Sequence, residues 1–277
     1  MFQIDSKIVR SVYSTEPNYD YDESSEENVC AIYFSSNDIY FPNTEEIFRK
    51  RIVEKNFFEW YHTRVKARKH IFVRDVFKQW YIEGINTIIN SPEKMEEWLK
   101  TETLGYQVIT VGSSAGGYAA VLYGSLLKAV RVIAFNAQFS LMPAAHKASN
   151  THDPLLFKYL HTDRASYFQL KDFLQPSVKY YYFLSVGCAE DNEQSRLLLT
   201  PTLPSKSLCC IKFATSHHGI PFLKVALGKV LNMNDEKLAS FAKQMNHPMV
   251  FTISIVGIRK TIVGFVKQAY KAYKKRK

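Results

Sequence analysis

Short apolar runs, separated by longer segments with helical spacing, dominate the hydrophobic pattern of the chain. Runs of this length that end in polar residues predict buried strands. They fall at residues 29–34, 70–73, 107–111, 130–135, 180–186 and 208–213. Apolar residues recur at helical spacing between them, for example over residues 76–90 and 118–127. This alternation predicts an α/β fold, with a mostly parallel, doubly wound sheet and helices on both of its faces.

A serine flanked by glycines lies at the junction between the third predicted strand and the helix after it. Residues 112–116 read Gly-Ser-Ser-Ala-Gly and fit the pattern G-x-S-x-G. In such a junction the serine occupies a strained turn, and side chains two residues away on either side would collide with backbone. The pattern therefore predicts Ser114 as a nucleophile at a helix N-terminus, where free N–H groups stabilise a developing oxyanion. A tight turn without chemistry is the alternative.

The same residues exclude two phosphate-binding loops. A P-loop has Lys after its last glycine, whereas Tyr118 follows Gly117 here. The dinucleotide-binding fingerprint has glycine at its third position, which is Ser114 in this chain.

Candidates for an acid and a base follow the last two predicted strands. A catalytic triad on this fold runs Ser, then Asp or Glu, then His along the chain, each after a strand. Asp191 follows the fifth predicted strand and is the predicted acid, with Glu190 as the alternative. His218 follows the sixth strand and is the predicted base, with the neighbouring His217 as the alternative.

Backbone N–H groups at two turns are candidates for an oxyanion hole. One belongs to Ala115, directly after the nucleophile. The other would come from the polar loop after the first predicted strand, where Ser36 and Asn37 are the candidates.

Together these motifs resemble the serine-dependent O-acetyltransferases of bacterial capsular polysaccharide synthesis, which have the α/β-hydrolase fold. The resemblance spans residues 29–225 and rests on the first strand with its loop, the Ser114 junction, Asp191 and the His218-Gly219 segment. It implies acetyl-CoA as the acyl donor, with no permanently bound cofactor, and a hydroxyl of a surface polysaccharide as the acceptor. Two alternatives stay open, a carboxylesterase or deacetylase of the same fold and a non-catalytic scaffold that docks at a membrane.

The segments without a strand signal complete the predicted organisation. Residues 14–28 are rich in Ser, Glu, Asp and Tyr and predict a solvated lead-in. Residues 137–176 predict a small helical cap. We expect one α/β-hydrolase-type catalytic domain over residues 1–247, which includes this cap, and a basic C-terminal helix over residues 248–277.

We expect a cytoplasmic protein. The N-terminus has no uninterrupted apolar core of a signal peptide, and no apolar stretch is long enough to span a bilayer. The four cysteines lack the spacing of a metal site, so we expect no metal and buried, reduced thiols. They are Cys30, Cys188, Cys209 and Cys210.

The net charge of +10 is concentrated near the C-terminus. Eight basic residues lie between Arg259 and Lys277, no acid follows Glu236, and the rest of the chain carries only +2. A nearly neutral body argues against a nucleic-acid partner. Over residues 258–277 lysines face one side of a predicted helix and apolar residues the other, among them Ile262, Phe265 and Tyr273. Such a helix predicts peripheral contact with an anionic inner membrane, and docking on the protein's own body is the alternative.

Overall fold

An eight-stranded sheet forms the centre of the protein in a computed structural model that describes residues 2–24, 27–198 and 207–276. The strands are β1 (Tyr19–Glu23), β2 (Val29–Phe34), β3 (Lys69–Val73), β4 (Gln107–Ser113), β5 (Arg131–Phe135), β6 (Lys179–Ser185), β7 (Leu208–Phe213) and β8 (Met245–Asn246). They lie in the order β1-β3-β2-β4-β5-β6-β7-β8. Among the strand pairs of the described residues, only β1–β3 is antiparallel, so the predicted mostly parallel sheet is confirmed.

Helices cover both faces of this sheet. They are α1 (Phe2–Asp5), α2 (Lys7–Thr15), α3 (Glu45–Phe48), α4 (Pro92–Glu102), α5 (Ala115–Leu126), α6 (Met142–Ala145), α7 (Pro154–Tyr159), α8 (Ala189–Leu198), α9 (Leu227–Leu231), α10 (Asp235–Phe241), α11 (Pro248–Val256) and α12 (Ile258–Arg276). Strand β2 shows why both faces need cover, because alternate residues enter two different cores. Ile32 belongs to the core that includes residues of α4 and α5, whereas Tyr33 belongs to the core that includes residues of α9, α10 and α11.

The six predicted strands correspond to β2–β7, and two further strands were missed. Strand β1 lies within residues 14–28, so the prediction of a solvated lead-in was wrong there. Its alternating Tyr and Asp residues carry little hydrophobic signal because β1 is an edge strand, where charged side chains protect against aggregation. Strand β8 has only two residues, too few for any sequence pattern.

The predicted helix over residues 76–90 was also wrong, since this segment forms consecutive turns. Buried Asp75 accepts hydrogen bonds from the backbone N–H groups of Phe77, Gln79 and Tyr81 at 2.8–2.9 Å. These N–H groups therefore bond to a side chain rather than to helical carbonyls. Trp80 and Tyr81 also have positive φ angles, which a right-handed helix does not allow.

The region predicted as a cap, residues 137–176, contains α6, α7 and two 3₁₀ turns, Asp163–Phe168 and Leu170–Asp172. The limits of the predicted domains stay a prediction.

Among the described residues, no helix is both long and apolar enough to cross a bilayer.

Candidate active site

The turn between β4 and α5 places Ser114 in a conformation that few residues adopt. Its φ of 54° and ψ of −122° lie outside the helical and extended regions. A Cβ on Gly112 would lie 2.0 Å from the carbonyl oxygen of Gly116, and one on Gly116 would lie 2.2 Å from that of Phe34. Both positions therefore require glycine, which explains the spacing of the motif.

Ser114, His218 and Asp191 form a continuous chain of hydrogen bonds. The Oγ of Ser114 lies 2.8 Å from Nε2 of His218. The other ring nitrogen, Nδ1, lies 2.8 Å from Oδ1 of Asp191. Since a carboxylate only accepts, Nδ1 carries the proton and Nε2 is free to accept from the serine hydroxyl.

The two alternatives take no part in this chain of hydrogen bonds. His217 is exposed and lines the same pocket as Ser114 and His218. Its backbone carbonyl, rather than its ring, accepts a hydrogen bond, which comes from Oγ of Ser185. Glu190 is exposed, whereas the Asp191 side chain is only 2% exposed. The geometry thus brings together the first choice for each role, and the catalytic roles themselves stay predictions.

Asp191 raises the pKa of His218. Asp191 lies in the first turn of α8, where the helix dipole favours a negative charge. Its hydrogen bond to His218 is the main cause that raises the pKa of the imidazole above its ordinary value. The protein therefore stabilises the imidazolium that forms when the base takes a proton.

Cys188 lies beside this pair, a position that the sequence did not indicate. Its sulfur, a carboxyl oxygen of Asp191 and a ring nitrogen of His218 lie within 4.8 Å of one another. Burial raises the pKa of the Cys188 thiol, so it is neutral beside the carboxylate. All four cysteines are free thiols, but only Cys30 is buried, so the expectation of four buried thiols was wrong.

The predicted oxyanion donors differ in their surroundings. Ala115 is the first residue of α5, so its N–H has no intrahelical acceptor and is available near Ser114. The N–H of Ser36, by contrast, donates to Oε2 of Glu59 at 2.6 Å. Asn37 begins a 3₁₀ turn (Asn37–Tyr40), and its side chain donates to the carbonyl of Lys78. A role for Ser36 in an oxyanion hole would require Glu59 to give up its hydrogen bond.

Asn136 and Ser185 hold the segment that carries His218, and sequence reasoning did not find them. Both side chains are fully buried, at the ends of β5 and β6. Asn136 donates from Nδ2 to the carbonyl of Gly219 at 2.8 Å, and Ser185 donates from Oγ to the carbonyl of His217 at 2.7 Å. The two carbonyls flank His218, so these bonds fix the backbone on either side of this histidine.

The similarity of the chain to known proteins is visible in its fold but not in its sequence. No protein-family profile matches it, and no curated protein matches its sequence. Solved structures with a similar fold include a capsule O-acetyltransferase of Neisseria meningitidis serogroup A, at 12% identity over 68% of this chain and 84% of that one, with a TM-score of 0.44. A glycosylation-associated protein complex of Streptococcus agalactiae shows 15% identity over 69% of this chain and 39% of that one, with a TM-score of 0.46.

A third similar structure is acetyl xylan esterase 1 from Thermoanaerobacterium sp. JW/SL YS485, at 11% identity over 69% of this chain and 70% of that one, with a TM-score of 0.40. Likenesses this distant carry no function over to this chain. The strand order, the helices on both faces and the strand–serine–helix turn define an α/β-hydrolase-type fold.

Proposed function

We propose that the protein is a serine-dependent acyltransferase that works through an acyl-enzyme on Ser114. The observation that carries this proposal is the hydrogen-bond chain from Ser114 through His218 to Asp191, with both distances at 2.8 Å. A tight turn without chemistry, or a non-catalytic scaffold, needs no such chain. Its members come from three separate segments of the chain, each after a strand.

The first half of the reaction follows from this geometry. His218 takes the proton of the Ser114 hydroxyl at Nε2 while Oγ bonds to the carbonyl carbon of the donor. The carbonyl oxygen becomes an oxyanion next to the free N–H groups at the start of α5. When the intermediate collapses, the bond to the donor's leaving group breaks, and that group takes the proton from the imidazolium.

The second half transfers the acyl group to a hydroxyl. His218 accepts the proton of the incoming hydroxyl while its oxygen bonds to the ester carbonyl carbon of the acyl-enzyme. When this second intermediate collapses, the bond to Oγ of Ser114 breaks, and Oγ takes the proton from the imidazolium. We propose an acetyl group because the catalytic pocket has a volume of about 140 Å³, below the roughly 300 Å³ at which drug-sized ligand sites begin. By the resemblance described above, the donor is acetyl-CoA and the acceptor is a hydroxyl of a capsular polysaccharide.

Hydrolysis is the second candidate function. The side chain of His218 is 40% exposed, so water can reach the place from which a hydroxyl would attack. An esterase or deacetylase would use the same residues. The two reactions differ in whether an acceptor excludes water from the acyl-enzyme.

A matched pair of serine variants tests the proposal. Ser114→Ala should lower turnover of p-nitrophenyl acetate by roughly 10³-fold or more, because the nucleophile is lost. Ser113→Ala is the control, since this buried neighbour makes no hydrogen bond to His218 among the described residues. Equal turnover by the two variants would remove the serine nucleophile from consideration. Incubation with acetyl-CoA and capsule oligosaccharides, followed by mass spectrometry, then separates an acetylated glycan from free acetate.

The second part of the proposal concerns location, with α12 as a peripheral membrane contact. This helix rests on the body through Thr261, which is buried, and Gly264, where a Cβ would lie 2.7 Å from Val225. Its apolar side chains face outward, and Ile262, Phe265 and Val266 are 51–58% exposed. The apolar stripe is therefore not the face that docks. Side chains of residues 271–277, including Tyr273, lie outside those that the structure describes.

A helix with exposed apolar side chains on one side and lysines on the other fits an anionic lipid surface. Lys260 and Lys267 lie on the same helix and are exposed. A protein held there would stay at the cytoplasmic face of the inner membrane, near a nascent surface glycan. The higher local concentration of acceptor would favour transfer without any change to the active site.

A further inference from the structure

A second cavity lies next to the catalytic pocket and is much larger. It has a volume of about 500 Å³, against about 140 Å³ for the pocket at Ser114. Three residues line both spaces, so the two are direct neighbours: Asp38, Glu59 and Lys224. A volume of this size falls within the range of roughly 300–1,000 Å³ that small-molecule sites occupy.

Positive charge distinguishes this second space, which we call the basic cavity. Its four cationic side chains are Lys50, Arg51, Lys55 and Lys224, and its acids are Asp38 and Glu59. Within the part of the chain that the structure describes, no carboxylate lies within ion-pair distance of any of the four cations. Cations that lie together in a concave surface without ion-pair partners produce an electric field that attracts an anion.

Arg51 is held in place for such a ligand. It is half-buried, and its Nη1 donates to the carbonyls of Asp38 at 3.0 Å and Ile39 at 3.1 Å. Its guanidinium carbon lies 5.8 Å from the centre of the Phe57 ring. A guanidinium has five N–H donors, and among the described residues no acceptor takes those on Nε and Nη2. The fixed group is thus ready to bind oxygen atoms of an anion.

Glu59, on the boundary between the two spaces, weakens this field only partly. Its Oε2 accepts a hydrogen bond from the Ser36 N–H, and burial raises the pKa of its carboxyl group. A raised pKa shifts Glu59 toward its neutral form, which repels an anion less. Asp38 is then the remaining acid against four cations.

We propose that the basic cavity binds the phosphate groups of a substrate whose reacting end reaches Ser114. The proposal rests on the function proposed above, because it takes the catalytic pocket as the place of acyl transfer. Phosphate fits the geometry because its oxygens accept several hydrogen bonds at once from Arg and Lys. Two sources supply this chemistry, a nucleotide thioester as donor and a phosphorylated saccharide as acceptor.

Calorimetric titration with inorganic pyrophosphate tests the cavity without any catalytic step. The variant is Lys50→Glu with Lys55→Glu, two exposed lysines of the basic cavity. The matched control is Lys147→Glu with Lys243→Glu, which changes the net charge equally at exposed positions that line neither cavity. We expect the cavity variant to bind pyrophosphate at least about tenfold more weakly than the control, because charge-assisted contacts are lost. Equal affinity in the two, or no binding by the unaltered protein, overturns the proposal.

A second measurement identifies the source of the phosphate. Two substrates are compared, acetyl-CoA and S-acetylpantetheine, which lacks phosphates. The ratio of their kcat/KM values, in that order, cancels any change in turnover that is common to both. A ratio that falls roughly tenfold in the cavity variant and not in the control assigns the phosphates to the donor. If the ratio is unchanged but pyrophosphate binding is lost, the acceptor supplies them, and glucose 1-phosphate should compete with pyrophosphate. Labelling of Ser114 by a fluorophosphonate tests the proposed nucleophile separately, so the two proposals fail independently.

Discussion

Asn136 donates a hydrogen bond from its side-chain amide to the carbonyl oxygen of Gly219, across 83 positions of the chain. The same amide donates to Oγ of Ser185, which in turn donates to the carbonyl of His217. The segment around His218 is therefore held by the ends of two neighbouring strands. Because the bonds end on backbone carbonyls, they position His218 without contacting its ring.

Loss of this anchor should affect kcat more than KM. Asn136→Ala removes the donor to Gly219, which frees the His218 segment to move away from Ser114, and we expect kcat on a small ester to fall about tenfold or more. Ser185→Ala should also lower kcat, and it does so without a substitution at residue 136. The measurement is the separate determination of kcat and KM for p-nitrophenyl acetate.

A buried asparagine elsewhere controls for lost stability. Asn86 is 6% exposed and fixes its own loop, since it accepts from the N–H groups of Ile88 and Ile89 and donates to the carbonyl of Pro17. Asn86→Ala should lower the unfolding free energy by about 1–3 kcal/mol, as for other buried polar groups left unpaired, with kcat unchanged. A positioning role for Asn136 is refuted if both asparagine variants lose kcat equally.

The adjacent histidines give the next prediction. His218→Ala should reduce turnover about as far as Ser114→Ala, roughly 10³-fold or more, because members of a triad act as a unit. His217→Ala should be mild, because the ring of His217 makes no hydrogen bond to Ser114 or Asp191 among the described residues. The measurement is the steady-state rate of each variant on the same ester. The reverse order would move the base to His217, and two mild effects would exclude both.

The pH dependence follows from the Asp191–His218 bond. The proposed base is neutral His218, and Asp191 raises its pKa above the ordinary value of 6.5. Activity should therefore fall as the pH drops through this raised pKa, with the acidic limb of kcat/KM above pH 6.5. Asp191→Asn removes the negative charge, which lowers the pKa of His218 and moves the limb to lower pH. Turnover should also drop by about 10³-fold or more, since an amide, unlike a carboxylate, can also donate to the imidazole and no longer holds it in the productive tautomer.

Glu190→Gln is the matched control for this profile. Glu190 also raises the pKa of His218, but only through its charge at a distance. We expect a small shift of the limb in the same direction and nearly unchanged turnover. An acidic limb that stays at the same pH in Asp191→Asn would show that His218 is not the group that titrates.

Local patterns predicted the parts of this protein that depend on neighbours in sequence. The six buried strands and the Ser114 turn belong to this class, because apolar runs and required glycines leave their mark within a few residues. The proximity of Asp191 and His218 to Ser114 could be predicted because each residue follows a strand, and parallel strands end at one edge of the sheet.

Features that depend on distant contacts were missed. Glu59 meets the N–H of Ser36 across 23 positions, and Asn136 meets Gly219 across 83. Neither residue stands in a motif, so its identity alone gives no sign of its partner. The wrong prediction of a helix over residues 76–90 has a related cause. Buried Asp75 accepts hydrogen bonds from backbone N–H groups that would donate to carbonyls in a helix.

The last prediction concerns α12 as a membrane contact. Ile262→Ser with Phe265→Ser should weaken binding to vesicles with anionic lipid, because these exposed side chains supply the apolar insertion. Their exposure, 56% and 51%, means that neither substitution should unfold the body. Ile88→Ser with Leu104→Ser is the matched control, since these side chains are 79% and 84% exposed and lie far along the chain from α12. Sedimentation with the vesicles measures the bound fraction.

Charge should act together with the apolar face. Each Lys or Arg near an anionic surface contributes on the order of 1 kcal/mol, so vesicles of neutral lipid should bind the protein far less than anionic ones. Deletion of residues 258–277 should abolish binding to anionic vesicles yet spare hydrolysis of a small soluble ester, because Ser114, Asp191 and His218 all lie before the deletion. The membrane role is wrong if the serine pair binds anionic vesicles as well as its control does. It is equally wrong if the truncated protein is insoluble or inactive on the ester, since α12 would then belong to the fold itself.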